Sequence, residues 1–134
     1  MAEFINSELQ TVEVNANVLF DETVIQPCPK VRHRKGSGVF TFKGGRYIVY
    51  FYGNVAIPTG ETIGPVELAI AINGEAAEGS IMRGAPIAVE SFFNVSTAIE
   101  VDVPCNCCYS ISVRNISDIP VEVNDANLIV IREV

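Results

Sequence analysis

Along most of this chain apolar residues recur at every second position, and no 3.6-residue period is sustained. In "VFTF", Phe40 and Phe42 share one face while Val39 and Thr41 take the other. "RYIVYFY" sets Tyr47, Val49 and Phe51 against Ile48, Tyr50 and Tyr52. "VELAIAI" aligns Val66, Leu68, Ile70 and Ile72, and "IEVDV" opposes Ile99, Val101 and Val103 to Glu100 and Asp102. Successive side chains on a strand point to opposite faces, so the pattern demands strands. "YSISVRN", "VEV" (121–123) and "NLIVIREV" (127–134) complete the set.

Turn signals separate these runs. Gly44-Gly45 reads as a turn. Asn73-Gly74 reads as a two-residue hairpin, because the favoured turn needs positive φ at both positions. Prolines 58, 65, 86, 104 and 120 fall between the runs, where they remove no ladder hydrogen bond. About eight to ten short antiparallel strands result, an all-β chain whose best match is a two-sheet jelly-roll sandwich. Residues 1–14 are polar and weakly patterned, so they are expected to form an N-terminal arm, flexible or bound to a partner. Residues 15–134 are then a single jelly-roll domain.

Two segments break the alternation. "YIVYFY" (47–52) and "LIVI" (128–131) are apolar on both faces. A sandwich sheet has one dry and one wet face, whereas continuous apolar strands occur where both faces are covered. The chain is 49% apolar and 19% charged, against a usual charged share of about 25%. Both observations point to further subunits covering the second face, with the two strands side by side.

The formal net charge of −7 is the opposite of the basic face that nucleic-acid binding requires, so no nucleic-acid partner is expected. The one basic run is "KVRHRKG": Lys30, Arg32, His33, Arg34 and Lys35 form a candidate contact for an acidic partner surface. No stretch approaches the roughly 20 apolar residues of a membrane helix, so no membrane partner is expected either. The first residues lack a basic segment followed by an apolar run, which leads to the expectation of synthesis in the cytoplasm without a signal peptide.

Catalytic patterns are missing. His33 is the single histidine, no G-x-S-x-G occurs, and "GSG" (36–38) opens no helix that would cradle a phosphate. Glu75, Glu78, Glu100, Asp102 and Asp118 scatter over turns and strand exteriors. Asp118, Glu122, Asn124 and Asp125 match no calcium-loop spacing. The expectation is a protein that is not an enzyme, with no cofactor and no metal.

"VPCNCCYSISVRN" (103–115) holds Cys105, Cys107 and Cys108, with Cys28 far upstream. A structural zinc site draws on Cys-x₂₋₄-Cys knuckles or histidines, and an extended strand would point Cys105 and Cys107 one way and Cys108 the other. Cys105 and Cys108 have C-x-x-C spacing, but a strand follows rather than a helix, which disfavours a thioredoxin-like centre. The periodicity reads Cys105 and Cys107 as small core fillers on the face of Tyr109, Ile111 and Val113. A disulfide or thiol role for Cys28, Cys105, Cys107 and Cys108 stays open, as does metal ligation between subunits.

"GGRYIVYF" resembles the G-x-Y-x-F strand of complement-type and tumour-necrosis-factor-like jelly rolls, with Val49 where phenylalanine is usual. "ELAIAINGE" resembles the following strand and hairpin, and "NANLIVIREV" the closing central strand. The chain is also similar to the globular heads of bacterial collagen-like spore-surface proteins and to small uncharacterised proteins of clostridial genomes and their phages. The resemblance covers residues 15 to 134. It implies a homotrimer in which Tyr47, Val49 and Phe51 are protomer core and Ile48, Tyr50, Tyr52, Ile129 and Ile131 meet neighbouring subunits, although for "LIVI" the pattern alone does not say which pair faces out. The function it suggests is a structural protein of a particle surface, a phage capsid-decorating or fibre-head protein located on the virion. The alternative is a trimeric binding module for a surface carbohydrate, such as a host-surface glycan, or for a cell-surface protein, including the spore-surface type.

Overall fold

The computed structural model describes residues 1–25 and 30–133. Among the described residues ten strands follow one another: β1 (Ala2–Asn6), β2 (Gln10–Val12), β3 (Glu22–Ile25), β4 (Val31–His33), β5 (Val39–Ala56), β6 (Val66–Ile72), β7 (Glu75–Ala76), β8 (Met82–Gly84), β9 (Phe93–Asn115) and β10 (Val121–Glu133). All pairings are antiparallel, in the order β3-β1-β10-β5-β9-β6-β7, with β2 on β10, β4 on β5 and β8 on β6. The Asn73-Gly74 hairpin joins β6 to β7, with φ of 53° and 86° at its two residues.

The 23 residues of β9 would run about 75 Å if straight. A domain of this length has a radius of gyration of only about 14 Å, so the strand must bend. It bends together with its partner β5 at one place. Lys43 pairs with Cys108 and Gly45 with Val103, so residues 104–107 stand opposite Gly44 alone. Such a bulge kinks both strands and lets them pass from one layer to the next. One layer is β3, β1, β2, β10, the second half of β5 and the first half of β9. The other is β4, the first half of β5, the second half of β9, β6, β7 and β8. The inner faces meet through aromatic rings. Phe4 of β1 lies 4.7 Å from Phe40 of β5, and Phe42 lies 4.7 Å from Tyr47 across the bend.

Gly44-Gly45 is therefore a bulge inside one continuous strand, not a turn between two. The bend also explains why the inward set of β5 changes from even positions (Phe40, Phe42) to odd ones (Tyr47, Val49, Phe51), all of them buried. Gly44 has no room for a side chain, since a Cβ there would lie 2.9 Å from the carbonyl oxygen of Pro104. Pro104 itself sits in the bulge, where no ladder bond is asked of it.

The arm expected over residues 1–14 is largely part of the sheet. β1 pairs with β10 from Ala2↔Val130 to Asn6↔Ala126, and β2 pairs with β10 at Val121–Val123. Ala2, Phe4 and Val12 are buried. The backbone of β10 needs a partner on the side away from β5, and the short N-terminal strands supply it.

Candidate interaction surfaces

The register of β5 against β10 resolves the two-sided strands. Tyr50 stands opposite Ile129, Ile48 opposite Ile131 and Tyr52 opposite Asn127. Leu128 and Val130 point inward at 0% and 1% exposure, so Ile129 and Ile131 are the outward pair. Directly opposed residues on one face have Cβ atoms about 5 Å apart, which makes Ile48, Tyr50, Ile129 and Ile131 one contiguous apolar strip. Tyr50 and Tyr52 are 39% and 44% exposed. On the β9 side the strip is flanked by Glu100, Ala98 and Ser96, and on the β1 side by Glu3 and Ile5.

At one end of the strip lies a cleft of about 240 Å³ lined by Ile5, Ser7, Tyr52, Asp125, Ala126 and Asn127. A bulge in β10 forms its wall, with Asp125 at φ 53°. Asn127 is only 7% exposed. Its Nδ2 donates to Glu3 Oε2 at 2.7 Å, while its buried Oδ1 has no hydrogen-bond partner among the described residues.

The basic run divides. His33 leaves the candidate contact, because its ring stacks on Phe40 at 4.3 Å and meets Phe4 edge-on at 5.1 Å. Its Nε2 donates to the Ser37 carbonyl at 2.8 Å. An imidazole has an apolar body and a polar tip, so it serves here as an interlayer aromatic. Lys30 turns away from the other basic residues toward the β5–β9 corner, where its Nζ donates to the Gly44 carbonyl at 3.2 Å. Arg32, Arg34 and Lys35 remain exposed.

The core-filling role expected of Cys105 and Cys107 is overturned. Cys105, Cys107 and Cys108 are all free and exposed. The alternation holds on either side, with Val103, Ile111 and Val113 buried and Tyr109 half-buried. It fails across the bulge, where Asn106 adopts φ 65° and the backbone turns outward. The three cysteines border a cleft of about 380 Å³ with Lys30, Lys43, Gly44 and Asn106. Cys28 lies outside the described residues. Among the described residues, no group of three or more His, Cys, Asp or Glu side chains is placed to hold a metal ion.

One pairing was not legible in the chain. Glu122 of β10 is 8% exposed and hydrogen-bonds to Glu90. Burial pushes its carboxyl above the ordinary glutamate range, and the neighbouring Glu90 adds to the rise. The hydrogen bond from Glu122 holds Glu90 below its ordinary value. The Thr59 backbone N–H and hydroxyl, each 3.1 Å from Glu90 Oε1, act in the same direction. Glu122 reads as an ordinary member of "VEV", and nothing local marks a partner 32 residues upstream.

No family model matches the chain, and no curated protein matches it. Among solved structures, Eiger TNF from S. frugiperda superposes with a TM-score of 0.71, covering 99% of this chain and 91% of that one at 14% identity. Murine APRIL superposes with a TM-score of 0.66, covering 99% of this chain and 97% of that one at 8% identity. Identities this low establish the fold alone: the chain has the tumour-necrosis-factor-like jelly roll. Among the described residues, no helix is long and apolar enough to cross a membrane.

Proposed function

We propose that this chain is a non-enzymatic, homotrimeric structural protein of a particle surface, a capsid-decorating or fibre-head protein of a phage. The observation that carries the self-association is the apolar strip of Ile48, Tyr50, Ile129 and Ile131, continued by Tyr52. In this strip Tyr50 and Tyr52 are exposed and Ile48, Ile129 and Ile131 half-buried; contiguous accessible apolar surface marks association sites, and three-fold closure suits attachment at symmetric positions on a particle. Exposed Arg32, Arg34 and Lys35 then offer a cationic contact for the particle.

Analytical ultracentrifugation at micromolar concentration tests the first step. A trimer is expected, and Tyr50→Glu combined with Ile129→Glu is expected to weaken it at least tenfold. A wild-type monomer that stays monomeric at that concentration overturns the trimer. The particle is tested by gene neighbourhood: capsid, portal and tail genes support a virion, and sporulation genes overturn it.

A second reading, a binding module for surface carbohydrate, is favoured by one observation. The Tyr52 cleft combines an exposed aromatic face, an unpaired buried amide oxygen on Asn127 and the Asp125 carboxylate. Sugar recognition uses such stacking and hydroxyl-accepting groups. A glycan array with wild type and Tyr52→Ala separates the readings: signal lost in the variant supports this one, and an array blank for wild type removes it.

A further inference from the structure

The corner where β5 and β9 change layers holds three thiols that no packing role explains. Cys105, Cys107 and Cys108 face solvent and share one cleft with two lysines. Inert cysteines are buried in apolar surroundings, whereas reactive ones sit accessible and near cations. The lysines arrive from separate segments. Lys43 stands on β5 opposite Cys108, and Lys30 immediately precedes β4. The Lys43 backbone N–H donates to the Lys30 carbonyl at 2.8 Å, which ties the two segments together. Lys30 Nζ spends one donor on the Gly44 carbonyl, which anchors its ammonium at the corner and leaves two further N–H groups.

We propose that this corner is a thiol–disulfide exchange site for an anionic small-molecule disulfide, with the cysteines supplying the chemistry and Lys30 and Lys43 the recognition. One cysteine thiolate attacks a sulfur of the ligand R–S–S–R. A protein–S–S–R bond forms, the ligand's S–S bond breaks, and RS⁻ leaves with the electron pair. The proton given up by the thiol goes to solvent or to the departing thiolate. A second cysteine of residues 105–108 then attacks the protein sulfur of the mixed disulfide and releases the second RS⁻. The protein dithiol is oxidised by two electrons, and the ligand is reduced to two thiols.

The overall charge supplies a sharp test. At −7 the whole chain repels anions, so a preference for an anionic disulfide must come from the local field of the two ammoniums. In a Cys28→Ser background, oxidised glutathione (anionic) and cystamine (cationic) are compared by the rate of free-thiol loss. Lys30→Gln/Lys43→Gln is expected to lower the glutathione-to-cystamine rate ratio about tenfold, an effect that shrinks with added salt. Peptide mapping is expected to place the adduct or disulfide within residues 105–108. Lys43→Gln alone, which keeps the Lys30–Gly44 bond, replaces the double variant if circular dichroism shows that the latter is unfolded. A rate ratio unchanged by the lysine substitutions, or an adduct found elsewhere, overturns the proposal.

Discussion

Glu122 enters the sheet carrying a carboxyl that the surrounding strands exclude from water, and Glu90 accepts a hydrogen bond from it. Their effects on stability run in opposite directions with pH. The folded value of Glu122 lies above its ordinary 4.5, so its contribution is present below that value and is lost as pH rises through the raised one. The folded value of Glu90 lies below 4.5, so its contribution is present above that value and is lost as pH falls through the lowered one. Glu122→Gln keeps a hydrogen-bond donor towards Glu90 and removes the ionisation. The variant is expected to gain stability over wild type as pH rises through the raised Glu122 value, measured as the urea midpoint at each pH. Parallel profiles for the two proteins would count against the pairing.

At the scale of elements, the short N-terminal strand stabilises more than its length suggests. Phe4 is fully buried and its ring contacts both His33 and Phe40, so β1 closes one layer and fills the space between both. Phe4→Ala is expected to cost about 3–5 kcal/mol in chemical denaturation. Deleting residues 2–14 should unfold the domain rather than free an arm, and circular dichroism would show it. Alternation set Tyr47, Val49 and Phe51 on the face opposite Ile48, Tyr50 and Tyr52, and the first set is the buried one, as the family resemblance implied. For β1 the pattern failed because Ala2, Phe4 and Asn6 include only one large apolar residue. For the corner it failed because a bulge is a property of two strands. "KGG" and "PCNCC" lie some sixty positions apart, and neither announces that four residues of one will face a single glycine of the other. The outward turn of the cysteines follows from that mismatch.

At the scale of the whole molecule, the two layers are one antiparallel ladder folded over on itself. The long strands β5 and β9 belong to both, and their mutual register holds from Val39↔Ser112 to Val55↔Phe93 with a single interruption. Layers joined only by side-chain packing can separate while each keeps its hydrogen bonds. These cannot, because opening either one pulls on backbone that the other is using. Native-state hydrogen exchange is expected to give the same opening free energy for central amides of β6, in one layer, and of β10, in the other. Sub-global exchange confined to one layer would contradict this. A pull applied to one layer therefore reaches the other through covalent chain, so the domain responds to load as a single spring.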